Sequence, residues 1–358
     1  MRVLVNALPV RYGGGATHLK QQLTALGRVA PELQLHNLLS PWAEVDGLPG
    51  TTEVVPVRSV ATRFAYEQLR LPLRAADVLY CPANFGPLAC RAPMVLTLQN
   101  PHYYRSGLAM PGTRVSRPPW KVKANHWAMR RADAIIAISH ALAEEAVATV
   151  PGIADRLHVI HSGVPEWPAE SEPVPGLPDR YVLSVANTAP HKRVQDVVAG
   201  WAAACDRTRG DVALVLVGRT TDEQSTHYRS LAGPHVRRLV MLGPVRRRAQ
   251  LKRIYERALA MILMSTLETF SFTPGEAGLV GCPLVVSDIP VHREVTMGHA
   301  ALVPLRDTGA LAEVMIAGFR QWTPGSALWR WPVSWDDNAR MLVDVFCEVG
   351  AAGVVSHA

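Results

Sequence analysis

Apolar residues in this chain fall in short unbroken runs, separated by stretches in which they recur at helical spacing. The first run, Arg2–Ala7, predicts a strand. A turn with Gly13, Gly14 and Gly15 follows. Leu19, Leu23 and Leu26 then mark one face of a helix, with Thr17 as its candidate cap. Further strands are predicted at Leu33–His36, Glu53–Val57, Val78–Tyr80, Met94–Leu98, Ala134–Ile138 and His158–Ile160. Helices fit Phe64–Arg70, Trp120–Arg131 and His140–Thr149. Strands that are apolar throughout are buried on both faces, so their alternation with helices predicts a covered parallel sheet.

The pattern breaks at Pro165–Pro178, which carries five prolines and three glutamates. Such a segment builds no core and reads as a semi-rigid linker. Alternation then restarts, with strands at Tyr181–Val185, Ala213–Val217, Arg238–Leu242, Ala260–Met264, Leu284–Val286 and Ala301–Val303. Helices fit Arg193–Cys205, Glu223–Leu231, Arg247–Arg257, Gly275–Val280, Gly309–Gln321 and Trp335–Val349. The expected organisation is an α/β domain over 1–164, a linker over 165–179, a second α/β domain over 180–334 and a closing helix over 335–358. A length of 358 residues agrees, at roughly 150 residues per domain. Open parallel sheets bind ligands at the carboxyl ends of their strands, so two of them predict a site in a cleft between the domains.

Composition narrows the class. With 48% hydrophobic and 19% charged residues the chain can bury a large core, which excludes wholesale disorder. Its longest apolar runs fall far short of the ~18 residues that span a bilayer. Met1–Val10 lacks the pattern of a secretory signal, and the five cysteines include no CxxC pair. The expectation is a cytoplasmic protein without a disulfide framework or zinc ribbon. Charge divides the chain: residues 1–165 hold 17 Lys and Arg against 10 Asp and Glu, residues 166–358 hold 20 of each. The densest part is Arg114–Arg131, with Arg114, Arg117, Lys121, Lys123, Arg130 and Arg131 around Trp120 and Trp127. It reads either as an anchor for an anionic membrane surface, with the protein peripheral at the inner face, or as a solvated face with inward aromatics. No nucleic-acid module is present, so nucleic acid is not an expected partner.

Three sets of residues carry candidate chemistry. The Gly13–Gly15 turn lets backbone approach a bulky anion at a helix N-terminus, or is simply a tight turn. It does not satisfy GxGxxG, and Leu33–Leu38 ends without the acidic residue that holds an NAD ribose, which argues against a dehydrogenase. Lys192 follows the first strand of the second domain at the start of a helix, a placement suited to a diphosphate and equally open to an ordinary exposed lysine. Glu268 and Glu276 flank Thr-Phe-Ser-Phe-Thr-Pro-Gly in a strand–loop–helix context, where a carboxylate can accept two ribose hydroxyls.

Together these residues resemble the GT-B nucleotide-sugar glycosyltransferases of glycosyltransferase family 4, the retaining group. The resemblance covers nearly the whole chain and is carried by Gly13–Leu26, Ala132–Val164, Tyr181–Lys192, Leu214–Gly218 and Glu268–Asp288, with Ser334–Phe346 similar to the closing helix that returns to the first domain. It implies an acceptor-binding first domain and a donor-binding second domain. Gly14 and Gly15 match the loop that approaches the donor diphosphate, and Lys192 the lysine that neutralises it. Glu276 matches the glutamate that holds the ribose, and Glu268 the one beside the transferred sugar. Phe270, Ser271, Phe272 and Thr273 match a loop whose amides touch sugar and phosphate. Gly243–Val245, with Gly243 and Val245 at its ends, matches the turn lining the nucleobase. His102 is at or near the first-domain histidine that contacts the donor sugar.

There are departures. Asn187 stands where the family often has an arginine, and Arg193 or the Arg246–Arg248 cluster is expected to compensate. The usual Glu-Gly-Phe-Gly-Leu-Pro becomes Glu268-Thr-Phe-Ser-Phe-Thr-Pro. No Asp-x-Asp occurs, so neither a metal nor another cofactor is expected beyond the nucleotide diphosphate sugar itself. The expected activity is retaining hexosyl transfer to a hydroxyl of a glycan, a lipid-linked sugar or a small molecule. The alternative on the same fold is a nucleotide-sugar-binding protein that hydrolyses, epimerises or does not react.

Overall fold

The computed structural model describes residues 1–100, 119–187, 189–208 and 211–355. The described residues divide into two compact units, one formed by residues 1–100, 119–163 and 333–355 and the other by residues within Val164–Pro332.

Unit 1 is built on a seven-stranded sheet. Its strands are β1 (Arg2–Asn6), β2 (Gln34–Leu39), β3 (Thr51–Val54), β4 (Val78–Cys81), β5 (Met94–Leu98), β6 (Ala134–Ala137) and β7 (Leu157–Val159). They pair in parallel in the order β3-β2-β1-β4-β5-β6-β7. The helices are α1 (Gly14–Val29), α2 (Val60–Leu69), α3 (Pro119–Arg131) and α4 (His140–Thr149). β4, β5 and β6 are buried at every position, as their unbroken apolar runs require. β3 stops at Val54 rather than Val57, since Pro56 has no N–H to extend the ladder. α1 begins three residues before Thr17: Gly13 is its N-cap at φ 68, a value glycine takes without steric cost, and no side chain caps it.

Unit 2 carries a six-stranded parallel sheet of β8 (Tyr181–Val185), β9 (Ala213–Val217), β10 (Leu239–Gly243), β11 (Met261–Leu263), β12 (Leu284–Ser287) and β13 (Ala300–Val303). The order is β10-β9-β8-β11-β12-β13. Around it lie α5 (Val194–Asp206), α6 (Asp222–Ala232), α7 (Arg248–Arg257), α8 (Phe272–Leu279), α9 (Pro290–Thr296) and α10 (Thr308–Gln321). α5 lies against the sheet through Val197, Val198 and Trp201, and Trp201 Nε1 donates to Val212 O at 3.1 Å. Burying one large aliphatic side chain contributes about 1.5–3 kcal/mol, so this seam is a main source of the unit's stability. Residues 165–180 form no helix or strand, yet they are tied to α7: Lys252 Nζ donates to Pro168 O and Ala169 O, and Arg247 pairs with Glu172 at 2.7 Å.

The last helix, α11 (Trp335–Val355), belongs to unit 1 and lies along α1. Its apolar face carries the fully buried Ala339, Leu342 and Phe346. A buried polar chain fixes its register. Tyr80 OH donates to Gln22 Oε1 at 2.5 Å, Gln22 Nε2 donates to Asn338 Oδ1 at 2.9 Å, and Asn338 Nδ2 donates to His161 O at 2.8 Å. No helix among the described residues is long and apolar enough to cross a membrane.

Candidate functional site

In each sheet the strand order reverses once, between β1 and β4 in unit 1 and between β8 and β11 in unit 2. Open α/β sheets bind ligands outside the carboxyl ends of the strands flanking that point. In unit 2 those ends lead to Asn187–Lys192 and to Met264–Ser271, and this position carries the candidate chemistry.

After β8, Asn187 Oδ1 accepts from Ala189 N at 3.0 Å and shapes the turn. Pro190–Lys192 form one 3-10 turn, and Arg193, left-handed at φ 50, redirects the chain into α5. Lys192 Nζ reaches Glu268 Oε1 at 2.6 Å, with only 18% and 9% of the two side chains exposed. The loops that carry them are joined by Thr266 N donating to His191 O at 2.8 Å. Burial pushes the Glu268 carboxyl up, but Lys192 and then His292, with hydrogen bonds from Lys192 and Ser265, outweigh it and hold it below the usual carboxylate range. His292, on α9, is fully buried with Nδ1 2.8 Å from Ser287 O, and burial keeps its imidazole below its ordinary value.

Beyond Glu268 the loop turns on Phe270, whose buried ring lies 5.4 Å from Trp331 and 5.7 Å from Phe272. Ser271 is forced to φ 70 at the mouth of α8, a conformation costly to any residue with a Cβ and found mostly where a site demands it. α8 therefore begins at Phe272, three residues before the sequence expectation. Thr273 lies in its first turn and Glu276 in its second, not in the first. The Ser271 side chain does not cap α8. Glu276 is buried. Its Oε1 accepts from Arg248 Nη1 and its Oε2 from Tyr255 OH at 3.4 Å. Burial raises its pKa, and Arg248 and Tyr255 only partly offset that.

Gly243, at φ 70, ends β10 and accepts from Gly218 N at 2.9 Å; Val245 is half-buried just beyond. Gly218 is confined to glycine, since a Cβ there would meet the backbone of Ala186. The expected compensation for Asn187 is not free. Arg193 is bound bidentately by Asp196 at 2.7 and 2.8 Å, Arg247 by Glu172 and Arg248 by Glu276. Arg246 is exposed.

On unit 1, Gly14 is exposed and Gly15 half-buried in the first turn of α1; a Cβ at Gly15 would stand 3.6 Å from Gln99 Oε1. His18 is buried beneath them with Nδ1 2.8 Å from Gln99 Nε2, and burial lowers its pKa to about 3. His102, Arg114 and Arg117 lie outside the described residues. Trp120 and Trp127 on α3 are 48% and 57% exposed, so the aromatics of this basic helix are not turned fully inward. Sequence reasoning missed Arg248 as a partner of Glu276 and His292 as a neighbour of Glu268; neither shares a motif or a periodicity with its partner.

The family described as Glycosyl transferases group 1 matches residues 179–320. Among solved structures the chain is similar to WaaG, a glycosyltransferase involved in lipopolysaccharide biosynthesis, at 14% identity over 99% of both chains with a TM-score of 0.69. It is similar to HepE from Anabaena in complex with UDP and glucose, at 16% identity over 100% of both chains with a TM-score of 0.65. Sucrose-phosphate synthase from Thermosynechococcus elongatus matches at 17% identity over 98% of this chain and 99% of that one, with a TM-score of 0.69. No curated protein matches by sequence. The two sheets are the two Rossmann-like units of the GT-B fold, and the matched domain makes the chain a glycosyltransferase.

Proposed function

We propose that the chain transfers a sugar from a nucleoside diphosphate to an acceptor hydroxyl with retention of configuration, and that unit 2 holds the donor. The observation that carries this is the Lys192–Glu268 ion pair at the reversal point of the second sheet. An ammonium has three donors; one is given to Glu268, and two remain for diphosphate oxygens. The N-terminus of α8 adds partial positive charge where negative charge develops on the leaving group. Glu268, kept ionised, stabilises positive charge at the sugar C1. The bond from C1 to the diphosphate oxygen breaks, the bond to the acceptor oxygen forms on the same face, and the acceptor proton passes to the departing phosphate. Glu276 takes the ribose. Phe270, Ser271, Phe272 and Thr273 line the sugar and phosphate, with Asn187 at the turn beside them, and Gly243 and Val245 line the base. Gly14, exposed, and Gly15, half-buried, at the start of α1 are assigned to phosphate, and His102 to the donor sugar.

Without an Asp-x-Asp pair, charge neutralisation falls to these protein groups. Turnover is therefore expected to survive EDTA, and its abolition with recovery on adding Mg²⁺ overturns the metal-independent reading. The half-exposed Trp120 and Trp127 and the basic residues of α3 favour an acceptor presented at an anionic surface. UDP and glucose, which the HepE structure contains, supply the first probes: incubation of UDP-glucose with an acceptor panel, with anomeric configuration read by NMR. An α-linked product from an α-linked donor supports retention; a β-linked product contradicts it.

A further inference from the structure

Glu276 is gripped through both of its oxygens from one helix, and the grip extends to the linker. Arg248 Nη1 donates to Oε1, while Nη2 donates to Pro165 O at 3.0 Å and Glu166 O at 3.2 Å. The guanidinium lies over the Trp167 ring at 4.0 Å, and Trp167 Nε1 donates to the Glu276 carbonyl at 2.9 Å. Tyr255 OH, two turns along α7 from Arg248, donates to Oε2, and its ring packs 5.3 Å from Trp167. A carboxylate offers about four lone-pair positions. Protein donors use one on each oxygen, so one on each oxygen is left. Two acceptors on adjacent atoms, fixed in one plane, match the two neighbouring hydroxyls of a ribose.

Resting on the reading that Glu276 faces the donor's ribose, we propose that Arg248 is the positioning residue that fixes this carboxylate for a vicinal diol, making the site selective for ribonucleoside over 2′-deoxyribonucleoside diphosphates. Arg248 is suited to this because its planar fork fixes direction as well as charge, which lysine does not. It also opposes the upward push that burial gives the Glu276 carboxyl. Among the described residues the titratable groups set against this carboxylate are Arg248 and Tyr255, both on α7; the linker contributes the Trp167 indole, and the Cys282 thiol lies near enough to Tyr255 to act on it electrostatically. With Arg248 removed, nothing of opposite charge opposes the burial of Glu276, and its carboxyl titrates higher.

The test is calorimetric titration of the full chain with ADP, GDP, UDP and CDP, then with the 2′-deoxy counterpart of whichever binds most tightly, at pH 6, 7 and 8. The wild type is expected to prefer the ribonucleotide by roughly tenfold or more, the factor a hydrogen bond to a charged group supports, with less pH dependence than a variant that lacks Arg248. Arg248→Met should bind the ribonucleotide more weakly, lose most of the ribo/deoxy preference and regain affinity as pH rises. Arg248→Lys should fall between the two and keeps the test open if Arg248→Met does not fold; a Lys variant with an undiminished preference overturns the proposal. Equal weakening of both nucleotides in Arg248→Met, with no new pH slope, reduces Arg248 to a structural role and also overturns it. A wild type that binds ribo and deoxy forms alike removes the proposal but leaves the nucleotide reading standing. A wild type that binds none of the four removes both.

Discussion

Lys192 and Glu268 neutralise one another with little water around them, and each therefore sets the other's behaviour. Lys192→Ala is expected to lower turnover by about 100-fold to 1,000-fold, the size of losing one donor aimed at developing charge, and to lower the melting temperature as well, since it leaves the buried Glu268 without its partner. It also changes pH dependence. With the ammonium present, Glu268 stays ionised to below the ordinary carboxylate range. Without it the largest charge opposing burial is gone and the carboxyl titrates higher, so on acidification the activity of Lys192→Ala should fall off at a higher pH than that of the wild type. A pH–rate profile checks this. The stability term has the same sign: a depressed folded-state value means a contribution present above the unfolded pKa, about 4.3, and lost as pH falls through the folded one. Lys192 and Glu268 are 76 positions apart, and only resemblance joined them in the sequence; their contact depends on β8 and β11 being neighbours.

Elements were legible where burial alone dictates pattern. Met94–Leu98 is apolar at four of five positions and buried at all of them, so its strand could be read directly. Where backbone geometry decides, composition gave no warning. Ser271 at φ 70 starts α8 early, and Gly13, not Thr17, opens α1. α9 went unseen because seven residues opened by Pro290 leave no room for a periodicity to show. Two expectations belong to this scale. Trp201→Ala empties the seam between α5 and its sheet and leaves Val212 O only the weak Cys205 thiol donor, so it should cost about 3–5 kcal/mol in chemical denaturation. Asn338→Leu leaves Gln22 and the His161 carbonyl without their partner in the buried chain under α11, at about 1–3 kcal/mol. Gln22→Leu combined with it should cost less than the sum of the two, since they share one network. Full additivity by denaturation would mean that the chain does not act as a unit.

At the scale of the molecule, two sheets of the same winding carry different chemistry at their reversal points. Unit 2 brings cations and carboxylates together there, whereas unit 1 presents glycines above a neutral His18. The excess of positive charge in the first half of the chain predicts a basic face there and not this division. It did not identify which arginines would be taken up by internal partners, because Asp196 and Glu276 reach Arg193 and Arg248 only once the chain is folded. The central claim is that unit 2 binds a nucleoside diphosphate through Lys192 and the Glu276 carboxylate. Its most direct test is calorimetric titration of nucleoside diphosphates into the wild type, Lys192→Ala and Glu276→Gln, with melting curves confirming that all three are folded. The account predicts saturable one-to-one binding by the wild type and at least roughly tenfold weaker binding by each variant. Equal affinity in all three would contradict it.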